Sequence, residues 1–268
     1  MPERAREPFA EGLDPAPVQQ ASRDGAATTP EFVPDRGWPI HLDSVCLALE
    51  HFHGLVPPPR FPSVFAAVLE QNVSWRVSRL RRRAVWAQFA ETIGVTPDDV
   101  LEAGPDAIER AIQGGGLRPD LRAARLIHAA RSCRVDFGGD LDWVVALPLA
   151  GVRAALTSFP GVEVAAADWI LALCGGWSIA ALGPPAARLV TRLGLVENGA
   201  VPSYEQLQQA VHDQIPNSSG RLRATTLLDI HGSTVCTSAS PGCDLCVLRR
   251  LCPTGAALRV AARQRGSP

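Results

Sequence analysis

Lysine is absent from this chain: every one of the 26 residues counted as Lys+Arg is arginine. Chemistry that needs a side-chain amine as nucleophile is therefore excluded, leaving only the amine at the N-terminus. An excess of positive charge is also missing. The formal net charge is −1, so any polyanion must be met by a local patch and not by a global field. No apolar run is long enough to span a bilayer, and no basic-then-apolar leader opens the chain, so the expectation is a protein of the reducing cytoplasm with no membrane contact. Nothing between residues 41 and 235 alternates at period two, which argues against sheets. No internal repeat is visible.

What remains is helical text. With 268 residues and 46% hydrophobic content, the chain can bury one substantial core or two modest ones. Residues 1–38 mix Pro, Gly, Ala, Glu and Arg without apolar periodicity and are expected to form a disordered tail. HLDSVCLALEHFHG then places Val45, Leu47, Leu49 and Phe52 near helical spacing, stopped by Gly54 and Pro57–Pro59. Two helices follow, from about Pro62 to Gln71 and from about Ser74 to Ile93. The second carries Val77, Leu80, Val85, Trp86 and Phe89 as an apolar stripe. Arg76, Arg79, Arg81, Arg82 and Arg83 crowd the same stretch, as a solvated face or as a surface for phosphate. Short helices at Asp98–Ala103 and Pro105–Gln113 end at Gly114-Gly115-Gly116. Another helix follows, with Leu121, Ala124, Ile127 and Ala130 expected inward. The fold class is all-α.

Seven cysteines fall into two groups. Cys46, Cys133 and Cys174 are scattered through apolar segments and read as small buried hydrophobes. Cys236, Cys243, Cys246 and Cys252 instead form C-x6-C-x2-C-x5-C, so four thiols share one short loop. Two disulfides, a zinc ion or an iron–sulfur cluster could each use them. Zinc ribbons present two separated short Cys pairs, which this pattern lacks, so a cluster held by one compact loop fits better.

Upstream, LPLAGVRAALTSFPGVEVAAADWILAL reads as a helix, a tight Phe159-Pro160-Gly161-Val162-Glu163 turn and a second helix. Backbone N–H groups around Gly161 and at the start of that second helix lack helical partners, which suits a DNA phosphate. The cysteine spacing and FPGVEVAAAD together resemble the helix-hairpin-helix DNA glycosylases, in their endonuclease III and adenine-glycosylase branch. LLDIHGSTVC also resembles that family's helix into the first cysteine. The resemblance runs from about Ile40 to Pro253. Glu163 and Ala166 depart from the family's glycine and threonine, and the carboxylate of Glu163 would repel phosphate.

This resemblance implies a two-lobed all-α fold with a C-terminal iron–sulfur loop and a [4Fe-4S] cofactor on Cys236, Cys243, Cys246 and Cys252. It implies one helical domain at 61–190 containing the hairpin and a second built from 39–60 plus 191–256, followed by a tail at 257–268. Double-stranded DNA, damaged or mismatched, would lie across the groove and be met by a monomer, nucleoid-associated if the source is bacterial. Contacts are expected from Gln71, which would help fill the gap left by an extruded base, from Phe159, Pro160, Gly161 and Val162, and from Arg249 and Arg250. His231 is expected in local capping or hydrogen bonding.

The family's chemistry is where the chain departs most. Aligning Arg188 of ALGPPAARLVTRLG with the family arginine puts Gly183 where the catalytic aspartate stands, and Ala165 where bifunctional members carry lysine. Asp168 is a weak substitute, since a structural polar contact fits it better, and Asp229 cannot be assigned. Three functions stay open. One is a DNA-binding, lesion-recognising protein of base-excision type without the usual glycosylase and lyase residues. The second is an active monofunctional glycosylase using another acid or a labile alkylated base. The third is a metal-binding interaction protein with no DNA role.

Overall fold

The computed structural model of the chain describes residues 40–196 and 201–257. The disordered tail expected over 1–38 and nearly all of the C-terminal tail at 257–268 lie outside these residues. The helices are α1 Leu42–His53, α2 Val64–Val73, α3 Arg79–Thr92, α4 Pro97–Ile112, α5 Pro119–Asp136, α6 Leu149–Thr157, α7 Val164–Cys174, α8 Pro184–Arg192, α9 Tyr204–Gln214 and α10 Ser218–Thr234. Among the described residues, extended pairing is limited to one isolated bridge between Trp75 and Gly116. The architecture is all-α, as expected.

Local chemistry explains the boundaries. Ser63, Ser78, Thr96, Ser203 and Asn217 each accept a backbone N–H of the first turn that follows, satisfying donors a helix start leaves open. The second long helix was expected from about Ser74, but α3 starts only after Ser78. Arg76 sits in the left-handed region at φ 56°, and Trp75 N–H donates to the Gly115 carbonyl at 2.7 Å instead of to a helical partner. The two short helices expected on either side of Gly104 run together as α4, with Gly104 left at φ 73° as a kink before Pro105.

Two hydrophobic clusters hold the helices. One is contiguous in sequence, from Val64 to Ile179. The other joins α1 to residues from Ala180 to Leu248, including Ala186, Leu189 and Val190 of α8. Helix α8, grouped by sequence with the segment ending at 190, thus packs with α10 and α1. On α1 the buried positions are Leu42, Val45, Cys46 and Leu49, whereas Leu47 and Phe52 are exposed. On α3, Val85 and Phe89 are buried and Leu80 faces solvent.

Helix α5 is rotated by about a residue from the expected face. Arg122, Ala123, Leu126, Ala129, Ala130 and Cys133 are buried, while Leu121 and Ala124 are exposed. The cause is Arg122, only 3% exposed. Its guanidinium donates to the carbonyls of Val73 (2.5 Å), Ile112 (3.1 Å) and Gly116 (3.0 Å), and its Nε to Leu117 (3.0 Å). One cation thereby satisfies the carbonyl ends of α2 and α4 and the glycine turn between α4 and α5. A hydrogen bond to a charged donor contributes about 1.5–3 kcal/mol, so Arg122→Ala should cost on the order of 3 kcal/mol in urea unfolding. Arg122→Lys should recover little of it, because a point ammonium cannot fork to four carbonyls.

Candidate active site and cysteine loop

Three places carry the sequence-predicted residues: the hairpin, the N-terminus of α8 and the cysteine loop.

The hairpin is α6, a turn through Gly161 at φ 77°, and α7. The first intrahelical bond of α7 runs from Ala167 N–H to the Glu163 carbonyl. The N–H groups of Val164, Ala165 and Ala166 therefore lack helical partners, and Gly161 beside them is exposed. Asn72 anchors the turn by donating to the Pro160 carbonyl at 2.7 Å. A side chain on Gly161 would run into that Asn72 amide, so the position needs glycine for space as well as for φ. The side chains of Phe159 and Val162 do not face outward. Both are buried, and Phe159 stacks on Phe137 at 5.3 Å. What the hairpin offers a phosphate is backbone, with the exposed carboxylate of Glu163 at its rim.

Asp168, the weak catalytic candidate, is fully buried on α7. Arg153 grips it with two bonds of 2.8 and 2.7 Å, and Tyr204 Oη and Gln208 Nε2 donate to it at 2.9 Å each. Its oxygens are occupied by their own chain, and the group ties α6, α7 and α9 together. Its charge and burial push the Tyr204 phenol upward, burial being the larger cause.

At the α8 terminus, Gly183 is the N-cap with ordinary extended geometry (φ −61°, ψ 168°). A side chain there would project to 3.6 Å from Oδ1 of Asp229. The sequence left Asp229 unassigned. Helix packing brings it in: Gly232 lets α10 press against the Pro185 carbonyl, where any side chain would collide. Asp229, three residues before Gly232 and so on the same face, then meets the tip of α8. Arg188 locks the crossing by donating to the Gly232 carbonyl at 2.6 Å and the Cys236 carbonyl at 3.0 Å. Asp229 is half-buried, and among the described residues no donor hydrogen-bonds to it. Burial pushes its carboxyl above the usual range, opposed by Arg82, Arg79 and Arg188.

Facing it from the other hydrophobic cluster is Glu70 of α2, 8% exposed. Gln71 Nε2 donates to Glu70 at 3.0 Å, and Arg82 Nε lies 3.9 Å away. Burial raises Glu70, Arg82 and Arg79 pull it back, and the charge of Asp229 raises it again. Of the arginine run expected to be either solvated or phosphate-facing, Arg79 and Arg82 thus serve two acids, while Arg81 donates to the Gly114 carbonyl at 2.8 Å.

The four loop cysteines line one cavity together with Leu189, Arg192 and Leu248. No disulfide joins any of the seven cysteines. Burial pushes the isolated Cys46, Cys133 and Cys174 up to about 11, which keeps them protonated and inert. Among the described residues no three His, Cys, Asp or Glu side chains are grouped as ligands of a single ion. Arg192 donates to Cys236 Sγ at 3.2 Å and to the Thr237 carbonyl at 2.8 Å. His231 is buried, with Nε2 3.2 Å from Cys246 Sγ and Nδ1 3.0 Å from His53 Nε2. Burial, with His53 adding, lowers His231 to about 4, so it is neutral. A neutral imidazole donates through one ring nitrogen and accepts through the other, so His231 links His53 to the Cys246 sulfur in either tautomer. Arg249 and Arg250 are exposed on the loop, and Arg249 donates to the Asp244 carbonyl at 3.1 Å.

An endonuclease III from Sulfolobus acidocaldarius is 27% identical over 193 residues, covering 72% of this chain and 81% of that protein. The structure of a non-covalent endonuclease III–DNA complex matches at TM-score 0.63 and 18% identity, covering 83% of this chain and all of that one. That of a thermostable thymine-DNA glycosylase matches at TM-score 0.60 and 19% identity, covering 81% and 97%. No family model matches the chain. The fold is that of the helix-hairpin-helix DNA glycosylases. The sequence match beside it makes the chain similar to an endonuclease III.

Glu70 gives a direct check of the buried site. Its folded form holds the proton more tightly than the unfolded chain does, so its contribution is full below the ordinary value of 4.5 and is lost as pH rises above it. Glu70→Gln mimics the protonated form. In urea unfolding, wild-type stability should fall relative to the variant between pH 4.5 and pH 7.5, taking the ordinary value of 4.5 as the lower point.

Proposed function

We propose that this protein recognises damaged or mismatched bases in duplex DNA, as an endonuclease III-like protein of base-excision type carrying a [4Fe-4S] cluster. The observation that carries the reading is the α6–α7 hairpin. Its unpaired N–H groups and Gly161 are presented outward while Asn72 holds the turn in place. Such a backbone site takes a phosphate without needing net positive charge, which suits a chain of formal charge −1. The relatives named above, one of them in complex with DNA, point the same way.

The cysteine loop fits a cluster on its donor chemistry. Four cysteine sulfurs border one cavity, an N–H of Arg192 donates to one of them, and a ring nitrogen of His231 contacts a second. Donors of that kind stabilise charge on sulfur ligands. Cys236, Cys243, Cys246 and Cys252 would hold the cluster. Bound there, it would supply a rigid, electron-rich centre joining the loop to α8 and α10. Arg249 and Arg250, exposed on the loop, would meet DNA phosphates.

The chemistry available is narrower than that of a bifunctional relative. The family lysine position is Ala165 and the chain contains no lysine, so strand cleavage through a lysine Schiff base is excluded.

Two measurements test this reading. Fluorescence anisotropy with a labelled lesion-bearing duplex should show binding whose log Kd rises linearly with log salt. Indifference to every duplex at low salt would sink the DNA role and favour a metal-binding interaction protein. Anaerobically purified protein should contain iron and acid-labile sulfide in the proportions of the cluster, and Cys243→Ser should lose both. Stoichiometric zinc instead would overturn the cofactor.

A further inference from the structure

Gly183 marks a corner where the superfamily aspartate would stand, and a carboxylate already occupies the space in front of it. We propose that Asp229 is the catalytic carboxylate of this protein and that the chain is therefore a working monofunctional glycosylase. The inference rests on the DNA-binding reading above.

The geometry has four parts. Oδ1 of Asp229 lies 3.6 Å from the point where a Gly183 side chain would begin, so the acid is delivered from α10 to the place α8 leaves open. It is half-buried and takes no hydrogen bond among the described residues. Asp168, by contrast, has its oxygens spoken for by Arg153, Tyr204 and Gln208. A carboxylate kept in a partly dry site with its lone pairs open is suited to accept a proton from water or to stand against a developing cation. The second part is the surroundings: burial pushes the carboxyl upward, and Arg82, Arg79 and Arg188 oppose that through charge without covering its oxygens. Third, Glu70 of α2, bonded to Gln71, shares the charges of Arg79 and Arg82 with Asp229, which sets the acid near the element expected to meet the extruded base. Finally, Gly232 fixes the crossing that places Asp229, since no larger residue fits against Pro185.

In the step this supports, the bond from C1′ to the base nitrogen breaks and its electron pair leaves with the base. The sugar gains oxocarbenium character, which the Asp229 carboxylate stabilises. A water oxygen bonds to C1′, and its proton passes to Asp229 and then through solvent to the departed base. No external oxidant, reductant or amine is needed.

The test follows release of free base from duplexes carrying alkylated, oxidised or mismatched bases, with anisotropy on the same duplexes. Unfolding midpoints and iron content report whether each variant is intact. Wild type should release at least one of these bases. Asp229→Asn should slow release on the order of 10²-fold or more while binding is retained. The double variant Gly183→Asp/Asp229→Asn should recover much of the rate, because Gly183 has φ −61° and only ordinary contacts ahead of it. Rescue from the other helix is something a merely structural role for Asp229 would not produce. Release unchanged in Asp229→Asn would overturn the proposal. Tight binding of damaged duplex with no base released by wild type would also overturn it, leaving the DNA-binding reading intact. Absence of any DNA binding would instead overturn that reading, and this inference with it.

Discussion

The crossing of α8 and α10 is the constraint on which the rest depends. Two helix backbones meet at Gly232 and Pro185 with no room for a side chain between them, and Arg188 bridges them through carbonyls at the end of α10. Everything functional at this end of the molecule is positioned from that contact. One turn before it, Asp229 is carried to the tip of α8. Just past it the first cysteine begins the loop, and Arg192 at the far end of α8 reaches back to its sulfur. A guanidinium suits both tasks, since its planar fork bonds several acceptors at once and a lysine would not.

The carboxylates illustrate how environment assigns roles. Asp168 is fully enclosed with four donors directed at it, an arrangement that fixes three helices and leaves nothing for a substrate. Asp229 has neighbouring charge but no hydrogen-bond partner among the described residues. Glu70 is enclosed but held by a single amide and a more distant arginine. Three acids within one protein thus span the range from spent to available.

Much of this was legible in the chain. The cysteine spacing, the Pro160-Gly161 turn and the missing period-two pattern led to the all-α hairpin fold that the structure has, and the gap left between the helices expected at Asp98–Ala103 and Pro105–Gln113 is the kink at Gly104 within α4. The errors share a physical cause. Leu47, Phe52 and Leu80 were read inward because they are apolar, while Arg122 was not considered for the core because it is charged; yet four carbonyls left open by helix ends and a glycine turn outweighed the cost of burying it. Phe159 and Val162 were expected at the DNA surface because they belong to the hairpin motif, but the motif's exposed element is backbone. Asp229 was left unassigned because Gly183 lies 46 residues away in the chain, and only the small residue at 232 hints that two helices touch there. The i, i+3 spacing from Asp229 to Gly232 was the available signal.

The division of the core also bears on how the chain is made. The buried residues of the first hydrophobic cluster run from 64 to 179, with Leu222 of α10 packed against them, so most of it can close once the chain has been made to that point. Helix α1 emerges earlier but belongs with residues beyond 180, and His53 finds His231 only at a separation of 178 residues. Its apolar face is fully covered only when α8, α9 and α10 have followed. Among the described helices, the first to be made is thus among the last to be enclosed, and an apolar face exposed in the meantime is open to wrong contacts.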